Sequence, residues 1–499
     1  MKVILINPMA KSNREPATFP LGLLSIASHL KRCGHEVKIL DRTSKATSYK
    51  KVIKKFAPDM VGISFLSSKS TKDAIKISNY SHSLGIPVIY GNTLASAVAD
   101  ILLLDGYADY VALGEGEFVF EELLEALENK KKVENIPGLA LLKDGKTYYT
   151  EPRPFADGSA LPVIDWSFVD PVSYARPSYE CKKMVFVYSS KGCPARCSFC
   201  FNETFHKRMR RARPLEDVLT EICDLVENYG VDGFFFGDEL WSVGKKELYE
   251  KCRALKELEL PFVWGCHLRV GLFEQEDYEY MYECGCRWIF FGVETGSPKI
   301  LKQINKGTDT DGIIKAHREA HAAGIALLPS FILGFPDEQE EDLRKTVSLI
   351  KKIAPYSNPK AFYLSPLIGT QLYSELVEGN LLDEIYSLKQ LDAQWNKMGH
   401  NFSDVPRKDI KIIYSHIVWW SITNRSPVTM ERKRKKIGFS HPANALLAVL
   451  KSIPQNGVRR VIPNLLYSAT EFLKIIYYIS FFKKIKKKYV LHKTESADV

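Results

Sequence analysis

The sequence predicts an α/β protein in which a doubly wound parallel sheet is followed by a partial (β/α)6 barrel and a helical, basic C-terminal region. Two observations predict the first two parts: short apolar strands alternate with amphipathic helices near the N-terminus, and a second strand–helix series follows. The third part is predicted because this rhythm stops near residue 390 and basic charge accumulates. The composition, with 45% hydrophobic and 26% charged residues among 499, excludes disordered, collagen-like and coiled-coil classes. The expected divisions are residues 1–130, 131–180, 181–390 and 391–499.

The first division contains five short, apolar, β-branched stretches that are typical of buried parallel strands. They are residues 2–6, 36–40, 60–65, 87–91 and 109–113. In a doubly wound sheet, ligands bind beyond the carboxyl ends of the strands. The candidate ligand-binding residues at those ends are Asn7, Pro8, Ser64, Gly91, Gly114 and Glu115.

Residues 131–180 are interpreted as a connector. Asp144-Gly145 between two apolar stretches, 139–142 and 147–150, predicts a β-hairpin. A proline-containing run from 152 to 162 follows it and is typical of a linker.

The second series has six candidate strands, each followed by a helical pattern. They are residues 184–189, 233–236, 262–264, 288–293, 328–333 and 361–364. Their spacing suits a full or partial (β/α) barrel, in which chemistry takes place at the carboxyl ends of the strands.

Three cysteines, Cys193, Cys197 and Cys200, follow the first strand of this series with the spacing C-x3-C-x2-C. Three thiolates on one tight loop can hold three irons of a 4Fe–4S cluster and leave the fourth iron open to a small molecule. A zinc site that lacks a ligand and three buried, non-ligating cysteines are the alternatives. The place of the loop at the mouth of a predicted barrel favours the cluster.

The cysteine loop resembles the signature of radical S-adenosylmethionine (SAM) enzymes. Over residues 1–390 the chain is similar to the subgroup with an N-terminal cobalamin-binding domain. The resemblance implies that Cys193, Cys197 and Cys200 are the cluster ligands and that Phe199 touches the adenine of SAM. It also implies SAM contacts at three later strand ends: Gly237, Asp238 and Glu239 at the amino group, Glu294 at the ribose, and Gly334 at the adenine through its backbone. Each of these motifs alone also fits a cap or a turn; their order on successive strands favours one ligand site.

The N-terminal division resembles the cobalamin-binding fold through residues 20–24, 34–37, 58–64 and 114–117. The motif D-x-H-x-x-G, which supplies a histidine to cobalt, is absent, so the resemblance implies cobalamin without a protein nitrogen on cobalt. Gly91-Asn92-Thr93-Leu94 stands where the family often has Gly-Gly-x-His. A vestigial domain without cobalamin therefore remains the alternative.

The resemblance implies reductive cleavage of SAM to a 5′-deoxyadenosyl radical and methylation of a carbon centre in a small-molecule or lipid substrate. Cyclisation, rearrangement or oxidation without net methyl transfer is the alternative. A flavodoxin or ferredoxin is the expected electron donor, nucleic acid is not an expected partner, and no protein residue is assigned a catalytic role. An electron carrier or a cobalamin sensor is disfavoured by the SAM-contacting elements. The methylthiotransferases that act on tRNA are set aside because they need cysteines in the N-terminal domain, which has only Cys33.

Charge and the remaining cysteines complete the predictions. Residues 431–499 hold 15 Lys and Arg against four acids, whereas residues 1–430 hold 54 against 55. This tail is either an interfacial helix on anionic lipid or a helical pair packed on the barrel with a solvated basic end. Cys284 and Cys286 either pack in the core or belong to a second cluster. With ten cysteines, no signal peptide and no membrane-spanning run, the sequence predicts a cytoplasmic protein, with a peripheral contact on the inner membrane face if the tail binds lipid.

Overall fold

A computed structural model of the protein describes residues 1–10, 19–44, 47–178, 180–396 and 401–423. These residues form two compact units. The first contains Met1–Ala175, Val185–Val231 and the described chain from Pro366 to residue 396. The second contains Arg176–Met184, Asp232–Ser365 and residues 401–423. The units therefore cut the chain differently from the sequence boundaries, and the segment with the three spaced cysteines folds as part of the first unit.

The first unit is built on a seven-stranded sheet. Its strands are β1 (Lys2–Asn7), β2 (Glu36–Asp41), β3 (Met60–Ser64), β4 (Val88–Gly91), β5 (Tyr110–Ala112), β6 (Leu139–Lys143) and β7 (Lys146–Tyr149). Its first helices are α1 (Leu21–Arg32), α2 (Tyr49–Phe56), α3 (Thr71–His82), α4 (Thr93–Ala97), α5 (Ala99–Leu104) and α6 (Gly116–Glu128). The strand order is β2-β1-β3-β4-β5-β6-β7, and β1 to β5 are parallel. The five strands predicted here are confirmed.

Both faces of this sheet are covered, as the predicted doubly wound fold requires. Helices α1 and α6 pack on one face, where Leu5, Leu30 and Leu123 share a core. On the other face, Ile6 and Ile77 belong to a second core with residues of α2, α4 and α5. Alternate side chains of each strand thus enter different cores.

The predicted hairpin is confirmed, but it is part of the first sheet rather than of a separate connector. Asp144 and Gly145 both have positive φ, 52° and 74°, as a two-residue hairpin turn requires. Strand β6 pairs antiparallel with β5 and thereby covers what would be an open sheet edge.

The second sheet has the order β16-β15-β14-β13-β12-β9-β8 and is open, with β16 and β8 at its edges. The remaining strands are β8 (Arg176–Ser178), β9 (Cys181–Val187), β10 (Ser190–Lys191), β11 (Arg211–Ala212), β12 (Gly233–Phe236), β13 (Val263–Leu268), β14 (Cys286–Glu294), β15 (Ala326–Leu333) and β16 (Lys360–Tyr363). Strands β12 to β16 are parallel to one another, and β8 is antiparallel to β9. The partial-barrel prediction is confirmed.

Within the part of the chain that the structure describes, ten further helices follow α6. They are α7 (Asn202–His206), α8 (Leu215–Tyr229), α9 (Lys245–Glu257), α10 (Gln275–Glu283), α11 (Pro298–Gln303), α12 (Thr310–Ala322), α13 (Glu340–Ile353), α14 (Gln371–Glu378), α15 (Leu388–Asn396) and α16 (Arg407–Thr423). Leu388 and Leu391 of α15 enter the core of the first unit. In the second unit, Tyr414 of α16 stacks on Tyr363 with ring centroids 4.5 Å apart. None of the described helices combines the length and the hydropathy of a membrane span. The basic segment 431–499 lies outside the described residues.

Candidate functional site

The three spaced cysteines lie on one loop whose two ends are held together. After β9 the chain forms β10, and β10 pairs antiparallel with β11, so residues 192–210 form a closed loop that we call the cluster loop. Cys193, Cys197 and Cys200 form no disulfide with any described residue; Cys197 is buried and the other two are partly exposed. A closed loop that presents three cysteine thiols suits a cluster with one open iron.

The first cysteine of this loop is fixed by its neighbours. Gly192 has φ +85°, and a Cβ there would lie 2.0 Å from the carbonyl oxygen of Met209, so only glycine fits. The Cys193 N–H donates to Oδ1 of Asn202 at 2.8 Å, and the Asn202 amide donates to the Cys193 carbonyl. Asn202 thus satisfies both backbone groups of Cys193. The sequence did not predict this role of Asn202, although an amide side chain two residues after the third cysteine could have indicated it.

The spacing of the thiols argues against a single-ion site. Among the described residues, only His29, Cys33 and Glu121 bring three ligand-type atoms within 4.8 Å of one another. The sulfurs of the cluster loop do not converge in this way, as three ligands of one zinc ion would. A cubane offers a different iron to each thiolate, so the donor set fits the cluster better than zinc.

The His29, Cys33 and Glu121 group is a hydrogen-bonded trio. Arg32 lies 3.2 Å from Nδ1 of His29 and can only donate, so the ring hydrogen is on Nε2, which is 2.6 Å from Glu121. The Cys33 thiol also donates to Glu121, and burial together with that carboxylate raises the pKa of Cys33 to about 11. No ring lone pair is left facing the group.

In the second unit, a polar cluster follows β12. Asp238 is fully buried, whereas Gly237 and Glu239 are exposed. Nδ1 of His267, on β13, lies 3.1 Å from the Asp238 carbonyl oxygen. Burial lowers the pKa of His267, so its neutral ring donates this hydrogen bond at pH 7. The arrangement fixes the backbone just after β12, where Glu239 is exposed.

Glu294 lies at the end of β14 in a strained conformation, with φ +68° and a side chain 8% exposed. Its carboxylate accepts from Nζ of Lys306 at 2.8 Å and from the hydroxyl of Ser330 at 3.3 Å. A Cβ at Gly292 would lie 2.4 Å from the carboxylate and 2.8 Å from Nζ of Lys306, so a side chain there would displace this ion pair. The sequence predicted Glu294 but missed Lys306, since its partner is twelve residues away on another element.

Arg269 directly follows β13 and acts on the Lys306–Glu294 pair. Its guanidinium donates to the backbone carbonyl of Lys306, and a Cβ at Gly307 would lie 2.9 Å from that guanidinium. Arg269 therefore positions Lys306, which in turn pairs with Glu294.

Gly334 follows β15 with φ +96°, and its backbone groups are both engaged. Its N–H donates to Oε2 of Glu338 at 2.8 Å, and its carbonyl accepts from Phe402 N–H at 3.2 Å. The carbonyl keeps a second lone pair for a ligand. Glu338 is fully buried, and burial raises its pKa to about 7. The predicted adenine contact through Gly334 stays a prediction.

The carboxyl edge of the first sheet forms a glycine-lined cradle. Among the described residues, apart from the chain neighbours, no atom lies within 4 Å of the position of a Cβ at Gly114, and at Gly91 the nearest is the Ala112 methyl, at 3.9 Å. The Ser64 hydroxyl accepts from Nδ2 of Asn92 at 3.1 Å. Open space above two strand ends suits a large flat ligand such as a corrin.

The other predicted residues of this edge have protein partners. Asn7 donates to Asp41 at 3.1 Å, and Pro8 is buried beside it in the chain. Glu115 turns away and pairs with Arg211 and Lys191.

None of the three histidines in residues 1–130 follows the carboxyl end of a described strand. His29 lies on α1, His35 precedes β2, and His82 at the end of α3 pairs with Asp109, just before β5. The expected cobalamin without a protein nitrogen on cobalt stays a prediction.

Four buried cysteines of the second unit associate in pairs. Cys252 hydrogen-bonds with Cys284, and Cys266 hydrogen-bonds with Cys286. Burial raises the pKa of Cys266 well above its usual range, which keeps it a thiol. Ligands of a second cluster would be spread around it rather than hydrogen-bonded, so the arrangement supports the packing interpretation.

The fold and the site define a radical SAM enzyme with a B12-binding domain. The family model of the radical SAM superfamily matches residues 187–350, and the model of the B12 binding domain matches residues 10–124. The chain belongs to this family.

Its relatives include an uncharacterized methyltransferase of Pyrococcus horikoshii, 30% identical over 83% of this chain and 95% of the relative. Anaerobic magnesium-protoporphyrin IX monomethyl ester cyclase of Synechocystis is 25% identical over 75% of this chain and 77% of its own length. Among solved structures, the radical SAM methyltransferase TsrM of Kitasatospora setae, with cobalamin and a [4Fe-4S] cluster bound, shares the fold. Its TM-score is 0.67 at 18% identity, covering 86% of this chain and 90% of TsrM.

Proposed function

We propose that this protein is a cobalamin-dependent radical SAM methyltransferase that methylates a carbon centre of a small-molecule or lipid substrate. The observation that carries the proposal is the closed loop with three cysteine thiols, in a chain whose first sheet also ends in a glycine cradle. A 4Fe–4S cluster with SAM supplies reductive cleavage and hydrogen abstraction, and cobalamin supplies methyl transfer.

The residues of this chain hold and orient these groups. Cys193, Cys197 and Cys200 ligate the cluster, and Phe199 lies beside them in the loop to contact adenine. On the second unit, Glu294 accepts the ribose hydroxyls while Lys306 holds its carboxylate in place, and the exposed Glu239 receives the SAM amino group. Buried Asp238 supports that turn, since its carbonyl is fixed by His267.

Two products separate the leading function from the alternative without methyl transfer. The protein is reconstituted without air with iron, sulfide and hydroxocobalamin, then reduced in the presence of SAM. The proposal expects 5′-deoxyadenosine together with cobalamin-dependent S-adenosylhomocysteine, because methyl donation leaves the demethylated product. 5′-Deoxyadenosine alone supports cyclisation or oxidation, and neither product from an iron-loaded protein rejects the proposal. A Cys193→Ala, Cys197→Ala, Cys200→Ala variant is the control.

A reductase of the flavodoxin or ferredoxin type as electron donor, and a cytoplasmic location, are parts of the same proposal. We further propose that the tail, residues 431–499, binds anionic lipid on the inner face of the membrane; its net charge of +11 supports this. A membrane contact favours a lipid substrate over a freely diffusing one.

A further inference from the structure

Four charged side chains connect the first sheet with the two ends of the cluster loop. Glu115 comes from the turn after β5 and Glu117 from the start of α6, while Lys191 and Arg211 are the paired residues of β10 and β11. We call these four residues the ionic network. All belong to the first unit, and their side chains are between 3% and 19% exposed.

The contacts within the network are close and specific. Nζ of Lys191 lies 2.8 Å from Oε1 of Glu117 and 3.5 Å from Oε1 of Glu115. Arg211 pairs with the other oxygen of Glu115, at 2.5 Å. Two acids and two bases thus balance, which a buried set of charges requires.

Neighbouring groups hold the network in place. The Ser25 hydroxyl of α1 donates to Glu117 at 2.5 Å, and the guanidinium of Arg211 lies 4.3 Å from the centre of the Phe155 ring. Although burial alone would raise it, the pKa of Glu117 is lowered to about 2 by Lys191 and Ser25, so this carboxylate is ionised at every physiological pH. At Gly116 a Cβ would lie 2.9 Å from Ile26, so α6 begins close against α1.

The position of the network in the chain gives it a consequence for the thiols. Lys191 is two residues before Cys193, and the pair Lys191–Arg211 closes the loop that carries all three cysteines. Glu115 directly follows Gly114 of the cradle, and Glu117 is the second residue of α6. The four residues 114–117 thus border the cradle at Gly114 and contact the ends of the cluster loop through the two glutamates.

We propose that Glu115 and Glu117 of the B12-binding domain are positioning residues for the cluster loop, acting through Lys191 and Arg211, and that they set the reduction potential of the cluster held there. The part about potential rests on the proposed function. Removal of a glutamate leaves an uncompensated cation beside the loop, which favours the more negative, reduced cluster and raises its potential. Removal of Lys191 leaves the opposite charge and lowers it.

The first test uses the apo full chain, so it does not depend on any cofactor. Glu117→Gln and Lys191→Met are compared with wild type by amide hydrogen exchange. We expect exchange in residues 192–210 to rise at least tenfold in both, with strands β1 to β4 unchanged. The matched control is Glu121→Gln, one turn further along α6, which contacts His29 and Cys33 instead of the loop. Equal exchange in Glu117→Gln and Glu121→Gln would overturn the positioning role.

The second test measures the midpoint potential of the reconstituted cluster by redox titration followed by electron paramagnetic resonance. We expect an upward shift in Glu117→Gln, a downward shift in Lys191→Met and a value near wild type in the double variant. If the midpoint potential shifts in the same direction in both single variants, the substitutions loosen the cluster loop without an electrostatic effect. That result would overturn the proposed control of the reduction potential. If wild type builds no cluster, the proposed function fails while the exchange test still decides the positioning.

Two milder variants keep the proposal testable if Glu117→Gln or Lys191→Met does not fold. Lys191→Arg keeps the charge and should keep both exchange and potential near wild type, whereas Glu115→Gln leaves the Lys191–Glu117 pair intact and should give a smaller exchange increase than Glu117→Gln. Wild-type exchange in Glu115→Gln together with increased exchange in Lys191→Arg contradicts the proposal.

Discussion

Asn202 binds both backbone groups of Cys193: its Oδ1 accepts from the Cys193 N–H at 2.8 Å and its amide donates to the Cys193 carbonyl. Asn202 is the first residue of α7 and is 6% exposed. The first thiol of the loop is therefore fixed by a side chain that follows the third thiol, before any metal is present.

Asn202→Ala should weaken iron uptake without touching a thiol. Two hydrogen bonds of about 1 kcal/mol each are lost, so the loop should be destabilised by roughly 2 kcal/mol. Iron and sulfide per chain after anaerobic reconstitution should fall to half or less. Asn129→Ala is the control, because Asn129 also binds a backbone carbonyl but on an exposed helix end. A full complement of iron in Asn202→Ala contradicts the role.

Lys306→Met should weaken SAM binding although Lys306 is not a predicted SAM contact. A charge-assisted hydrogen bond is worth about 1.5–3 kcal/mol, and without it the Glu294 carboxylate is no longer held over Gly292. The Kd for SAM, measured by calorimetry on the reconstituted protein, should rise roughly 10- to 100-fold. Lys315→Met, at an exposed ion pair, should leave the Kd unchanged. An unaltered Kd in Lys306→Met would show that the pair with Glu294 is structural only.

Glu338 should make stability depend on pH in a definite window. Its pKa is raised from 4.5 to about 7 by burial, so the folded protein holds a proton there that the unfolded chain releases. The contribution of Glu338 to the free energy of unfolding is fully present below pH 4.5. It is lost as the pH rises through 7, and the total loss is about 3 kcal/mol.

Glu338→Gln removes this dependence, because an amide keeps an acceptor for the Gly334 N–H and does not ionise. The difference in unfolding free energy between variant and wild type, from urea titrations of the apo protein, should move in favour of the variant by about 3 kcal/mol between pH 4.5 and pH 8. Glu341→Gln, at a side chain 73% exposed, should show no such movement. A constant difference for Glu338→Gln rejects the assignment.

The tail should bind anionic vesicles in a salt-dependent way. Each Lys near such a surface contributes about 1 kcal/mol, so replacing the five lysines among residues 483–488 with Gln should abolish sedimentation with phosphatidylserine vesicles at low salt. Replacing the exposed lysines at 130–132 should have little effect. A wild-type protein that stays in the supernatant at low salt removes the lipid proposal.

Much of the fold was predictable because its signals are local. All eleven strands of the two predicted series are present, since short β-branched runs between turn residues form buried strands in either sheet. The hairpin at Asp144-Gly145 was also visible, because its turn needs residues that tolerate positive φ. The sequence did not show that this hairpin belongs to the first sheet, because the pairing of β6 with β5 joins residues that are far apart in the chain.

The candidate site divides in the same way. The spacing of Cys193, Cys197 and Cys200 predicts the cluster loop, because three closely spaced cysteines are a local pattern in the sequence. Lys306 was missed because it acts on Glu294, which belongs to another element. Glu338 lies only four residues from Gly334, but the burial that gives it its role is not visible in the sequence.

By itself, the sequence determined the strand–helix series, the cysteine spacing and the location of the basic charge, all of which depend on neighbours in the chain. Only the tertiary structure decided that the cysteine segment folds with the first unit and that Glu115 faces Arg211 and Lys191 rather than the cradle. The reason is that a buried charge needs an opposite charge close to it in space. Which residue lies close enough depends on the folded structure and cannot be read directly from the order of residues.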